Sequence, residues 1–126
     1  MENQVVKQVN DQDVMDSWDV AKMISKRHRD LMRDIRRYIG EMATSAKLRA
    51  LNFFIESSYK DTKGEVRKCY LLTKQGCELV AHKIAGRKGT IFTATYVSLF
   101  NEYEAEHNKF QEHKKEIVDD DNDLEL

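Results

Sequence analysis

One stretch constrains this chain more than any other: KRHRDLMRDIRRYIGEM, residues 26–42. At about 100° per residue in a helix, Leu31, Ile35, Tyr38 and Met42 fall on one narrow stripe, with Ile39 beside it. Arg29, Arg33, Arg36 and Arg37 fall on the opposite side, within an arc of roughly 100° by the same geometry, and Lys26 joins them. Asp30 precedes Arg33, and Asp34 precedes Arg37, at i,i+3 spacing, so each carboxylate can steer an arginine and stabilise the helix slightly. The pattern predicts a helix with one face in a core and a guanidinium face turned outward.

The flanking sequence gives that helix a context. Asp16 or Ser17 can cap a preceding helix by accepting a backbone N–H bond. In that helix Val20, Ala21 and Ile24 share a face, and the small Ala21 lets a second helix approach closely. Ser25 and Lys26 stand at a tight break, so residues 16–42 read as two helices joined by a short turn. Residues 51–72 read as two strands, with aromatic and β-branched residues on both sides of Lys60-Asp61-Thr62-Lys63-Gly64. Gly64 can supply the positive φ of a hairpin turn. Thr73 caps a helix with Cys77, Val80, Ala81 and Ile84 inward and Gly86 as its stop, and a longer helix is expected over residues 89–115. That helix carries Phe92, Tyr96, Leu99, Phe100, Tyr103 and Phe110 at stripe-like spacing. Residues 1–15 read as an extended N-terminal arm or short strand, and residues 116–126, EIVDDDNDLEL, as a disordered acidic tail.

Charge narrows the choice of partner. The net charge of −1 divides into −3 on residues 1–16, −6 on residues 116–126 and +8 on residues 17–115. A basic body between acidic ends points to a polyanion. No run approaches the roughly 20 apolar residues of a membrane span, and the N-terminus has neither the basic start nor the apolar stretch of a secretory signal, so no membrane partner and a cytoplasmic protein are expected. Cys69 and Cys77 form no CxxC pair, and the histidines offer no matching second pair; free thiols and no metal are the expectation. No GxSxG, HExxH or P-loop pattern occurs, so neither catalysis nor a cofactor is expected.

The constellation that remains is an α+β winged helix-turn-helix, with a two-stranded β-hairpin wing and a long C-terminal helix, spanning residues 16–115. A charge run can be no more than a solvated face. Here the charges are mostly arginine, which bonds phosphate and guanine in two-pronged fashion; they share a face; and a short helix precedes them across a tight break. The candidate DNA-binding residues are Lys26, Arg27, His28, Arg29, Arg33, Arg36 and Arg37 on the helix. Lys60, Lys63, Arg67 and Lys68 on the hairpin suit phosphate contacts, which position a protein without reading sequence. Arg87 and Lys88 precede the last helix, where backbone N–H groups can also meet a phosphate, although an ordinary interhelical turn would look the same. The expected partners are double-stranded DNA and a second copy of the chain, with the last helix as the dimer seam.

The segments SWDVAKMISKRHRDLMRDIRRYI, FFIESSYKDTKGEVRKCYLLTKQGCELVA and GRKGTIFTATYVSLFNEYE resemble the phage regulatory protein Rha family, in order, over about residues 17–104. KRHRDLMRDIR and KGTIFTATYV are its most specific strings here. The resemblance implies a phage or prophage regulator, in a family linked to phage growth in bacteria lacking integration host factor. It also implies kinship with phage antirepressors, in which a similar module precedes a second domain. It places Lys26, Arg27, His28, Arg29, Asp30, Arg33, Asp34 and Arg36 in the family's most recognisable stretch. The rival expectation is therefore an antirepressor that binds a repressor protein, with the acidic tail and its Leu124 and Leu126 as an element that imitates phosphates.

Overall fold

The computed structural model describes residues 5–125, and their side chains through Asn108. The fold is α+β. Two strands, β1 (Val6–Val9) and β2 (Gln12–Asp16), lead into helices α1 (Ser17–Met23) and α2 (His28–Met42). A single 3-10 turn (Ala50–Asn52) precedes β3 (Phe54–Lys60) and β4 (Val66–Thr73), which are followed by α3 (Lys74–His82) and α4 (Gly86–Glu125). The strands form one antiparallel sheet in the order β1-β2-β4-β3.

The sheet has a single buried rung at its centre. Val6 lies opposite Met15, Met15 opposite Leu72, and Leu72 opposite Phe54. None of the four is more than 2% exposed. Because side chains alternate across a strand, one register places all four on the same face. The helices pack there: Val20, Ala21 and Ile24 from α1, Leu31, Ile35, Tyr38 and Met42 from α2, Cys77 and Val80 from α3, and Phe92, Tyr96 and Phe100 from α4 join this core. Each fully buried aliphatic or aromatic side chain contributes about 1.5–3 kcal/mol.

Where an extended arm or a short strand was expected, the chain forms two strands of the sheet, β1 and β2. Asn10 and Asp11 both hold positive φ (52° and 65°), which makes the two-residue turn that suits the twist of antiparallel strands. It folds β1 back on β2 and buries Val14 and Met15 completely.

β4 runs on beyond its pairing with β2, which stops at Leu71, so the outer part of the β3–β4 hairpin projects as a two-stranded ribbon. Its turn is set by Asp61. The Asp61 carboxylate accepts from the backbone N–H groups of Lys63 and Glu65, both at 2.9 Å, and Gly64 takes φ +82°. At the other end β4 passes directly into α3, whose N-cap Thr73 accepts from the Gly76 N–H at 3.1 Å. Gly76 sits against the Phe53 carbonyl so closely that a Cβ would come within 2.1 Å of it.

The last two helices differ in their limits from the expected 73–85 and 89–115. α3 ends at His82, Ile84 is half-buried beyond it, and Gly86 opens α4 rather than only closing α3. α4 continues to Glu125, through the segment expected as a disordered tail. Extending a helix from a packed first half is far cheaper than nucleating one. Phe110, Leu124 and Leu126 lie outside the residues whose side chains are described.

The break between α1 and α2 follows a defined pattern. The Lys26 N–H reaches the Ala21 carbonyl at 2.9 Å and the Ser25 N–H reaches the Lys22 carbonyl at 3.2 Å, with Ser25 left-handed at φ 54°. These are the paired bonds of a Schellman cap, whose left-handed position favours glycine. Serine is held there against its preference. Ser25→Gly is expected to raise stability by about 0.5–1 kcal/mol, seen as a higher urea midpoint at unchanged slope; an unchanged or lower midpoint would contradict the assignment of strain to this residue.

Candidate nucleic-acid interface

The outer face of α2 carries four arginines. With Leu31, Ile35 and Tyr38 in the core, geometry leaves Arg29, Arg33, Arg36 and Arg37 exposed. Arg33 is 69% exposed and Arg37 63%. Both expected i,i+3 pairs form: Asp30 with Arg33 at 3.5 Å, and Asp34 with Arg37 at 3.9 Å. Asp30 also takes the Arg27 guanidinium at 2.9 Å, and Arg37 lies 3.9 Å from Glu41. The hydrogen bond from Arg27 holds the Asp30 carboxyl below its ordinary range, helped by the charges of Arg27, Arg33 and Arg29. Among the described residues, no carboxylate sits within ion-pair distance of Arg29 or Arg36.

Lys26 stands apart from this face. It pairs with Asp34, whose residue is only 8% exposed, and so ties the turn to the middle of α2. Arg27 is the N-cap residue of α2 and makes no side-chain capping bond.

His28 is placed differently from the arginines it was grouped with: it is 9% exposed and faces inward. Its Nε2 lies 2.8 Å from the Ser17 hydroxyl, which also accepts the Tyr70 N–H at 3.1 Å. Its ring stacks on Trp18 with centroids 4.0 Å apart, and Tyr59 of β3 meets both rings edge-on, at 5.7 and 6.2 Å. Residues 28, 31, 35, 38 and 42 share one helical stripe, so the spacing already marked His28 as inward. Ser17, Trp18 and Tyr59 were not among the expected functional residues. They join the outer part of the hairpin, one residue from its turn, to the start of α2.

The hairpin candidates Lys60, Lys63, Arg67 and Lys68 are all exposed. Arg67 is bound to Asp61 at 3.0 Å and Glu65 at 3.1 Å, and Lys68 lies 3.8 Å from Glu56. The Arg67 bond, with the Glu65 and Lys63 N–H groups, lowers the Asp61 carboxyl pKa. Arg87 and Lys88 are exposed in the first turn of α4. Among the described residues, no ion pair, hydrogen bond or ring contact joins them to α2 or the hairpin. Cys69 and Cys77 are free and buried, and burial raises both thiol pKa values. Among the described residues no helix is long and apolar enough to cross a membrane, and no group of three or more histidine, cysteine or acidic side chains could hold a metal ion.

Residues 15–105 match the phage regulatory protein Rha family, from within β2 to the middle of α4. The chain belongs to that family. A relative from Bacillus subtilis (strain 168), the SPbeta prophage-derived protein YoqD, named as an antirepressor, is 50% identical over 95 residues. The match takes in 75% of this chain but 38% of the relative's length. No solved structure matches the chain. The family match covers α1, the turn, α2, the whole β3–β4 hairpin and α3, so the arginine face lies within the shared region.

Two outcomes follow from the Ser17–His28 contact. Removing the Ser17 hydroxyl leaves the buried Tyr70 N–H without its acceptor, so Ser17→Ala is expected to cost about 1–3 kcal/mol in denaturant unfolding; a loss near zero would contradict it. Burial holds the His28 pKa below its ordinary 6.5, against a smaller opposing pull from Asp16. The unfolded chain therefore takes up this proton first, and stability falls as pH drops below 6.5 until the folded-state pKa is passed. His28→Gln should remove that part of the pH dependence; a slope unchanged between pH 7 and 5 would contradict it.

Proposed function

We propose that this chain is a phage transcriptional regulator that binds double-stranded DNA as a winged helix-turn-helix, with α2 as the recognition helix and the β3–β4 hairpin as the wing. The observation that carries this reading is the exposed stripe of Arg29, Arg33 and Arg36 on the second of two helices joined by a tight turn. Two features support it. Along the chain the pair of helices lies between β2 and β3, while the sheet runs β2–β4–β3, an order that a winged-helix unit would also have. The Trp18–His28–Tyr59 contact sets the outer, turn-side part of the hairpin beside the start of α2, so helix and ribbon can address one duplex.

In this reading Arg29, Arg33 and Arg36 reach base edges or adjoining phosphates in the major groove, where arginine pairs with guanine through two hydrogen bonds. Arg27, Arg37 and Lys26 flank them. Lys60, Lys63, Arg67 and Lys68 hold the backbone beside the groove and fix orientation rather than sequence, with Arg87 and Lys88 as further phosphate contacts. Binding requires that Asp30, Asp34 and Asp61 release or share their arginines. The guanidinium ends of these pairs stand in water, where a single ion pair is worth little, so a phosphate can compete with the carboxylate. The function is binding, without catalysis or cofactor. A homodimer with α4 as its seam would match the two-fold symmetry common in operators.

A second reading has its own support in the antirepressor name of the Bacillus subtilis relative. There the same basic face would meet an acidic surface on a repressor. Gel shift on phage DNA, run beside pull-down with the phage repressor, separates the two.

Fragments selected from phage genomic DNA at near-physiological salt are expected to share a site. Arg33→Ala should weaken binding to it by about 1–3 kcal/mol if it reads a guanine, and joint replacement of Arg29, Arg33, Arg36 and Arg37 by alanine should abolish binding. Affinity should fall steeply with salt as counterions are released. Intact binding by the fourfold variant, or a flat salt response, would overturn the proposal.

A further inference from the structure

Four of the five glycines in this chain are explained by the fold. Gly64 and Gly86 hold positive φ, and a Cβ on Gly76 or Gly89 would collide with a backbone carbonyl, at 2.1 and 2.2 Å. Gly40 is not explained in this way. It lies on the exposed side of α2, its φ is not positive, and a Cβ built on it meets nothing within 4 Å. Glycine is among the poorest helix formers, and alanine would suit this site better. Among the described residues nothing accounts for the missing side chain.

Its position on the helix gives it a meaning. Residues 29, 33, 36 and 40 follow i, i+4, i+7, i+11 spacing, so Gly40 ends the stripe begun by the three exposed arginines. Side chains on a helix lean toward its N-terminus. A side chain at 40 would therefore lie over Arg36, which has no carboxylate within ion-pair distance among the described residues. It would also hold the helix axis away from any surface the arginines address.

We infer that Gly40 is the point of closest approach between α2 and bound duplex DNA, where the bare helix backbone packs against the wall of the groove. This rests on the DNA-binding reading above. The two can be separated, because a side chain at 40 changes shape and not charge. A methyl group there removes no positive charge, whereas loss of Arg36 does.

The test uses the full chain and a phage genomic fragment recovered by its binding to the wild-type protein. Gly40→Ala is expected to raise Tm by a few degrees through better helix propensity. It should also weaken DNA binding about fivefold or more, the usual penalty for forcing a methyl group into a close-packed contact. Gly40→Leu should weaken it further. Neither variant should alter the dependence of log affinity on log salt, while Arg36→Ala should lower that slope by about one. A protein that is stabilised yet binds less well excludes misfolding as the cause. If Gly40→Ala and Gly40→Leu bind like wild type while Arg36→Ala is weakened, the inference fails and the DNA reading stands. If none of the three changes DNA binding, both fail. Loss of binding to a repressor protein with DNA binding intact would likewise overturn the inference.

Discussion

The hydroxyl of Ser17 is the joint on which the arrangement turns. It is fully buried, accepts the Tyr70 N–H from β4 and meets His28 Nε2 at the first residue of α2. A buried donor left without a partner is costly, so this one group fixes where α1 leaves the sheet and where α2 begins. Trp18, next in sequence, stacks on the His28 ring and touches Tyr59. The outward face of α2 is thus held relative to the hairpin by contacts made on its inward side.

The two faces of α2 divide the labour of folding and recognition. The inward stripe lies against the sheet rung of Val6, Met15, Leu72 and Phe54 in one continuous core. The outward stripe keeps its guanidinium groups in water, while the Asp30 and Asp34 carboxylates they meet are largely covered. Those pairs hold the Arg33 and Arg37 guanidinium groups in place without burying them, and leave Arg29 and Arg36 unpaired among the described residues. A face of this kind is ready for an anionic partner, since exchanging a carboxylate for a phosphate needs no change in the fold.

Much of this was legible in the sequence because it depends on short-range pattern. The 3.6-residue spacing marked both faces of α2, Asp16 was a recognisable cap, and Gly64 marked the hairpin turn. The β1–β2 hairpin was not legible as such. Its two-residue turn uses Asn10-Asp11 with no glycine, and its apolar alternation is brief. His28 was misplaced because its neighbours in sequence are arginines, although its neighbours in space are Ser17 and Trp18. The Lys26–Asp34 pair and the Tyr59 contact join residues whose meeting depends on tertiary packing, which no local pattern encodes. The acidic composition of residues 116–126 gave no sign of a helix, because the pattern there supplies no apolar face.

The central claim is that the arginine stripe of α2 and the β3–β4 ribbon form one DNA-binding surface. Titrating 15N-labelled protein with a selected phage duplex, and following backbone amides together with arginine side-chain N–H signals, tests it most directly. The account predicts that Arg29, Arg33 and Arg36 side-chain signals and amides from Lys60 to Lys68 shift together along one binding curve, while α3 stays unchanged. Shifts confined to other elements, with the arginine signals unmoved, would contradict it.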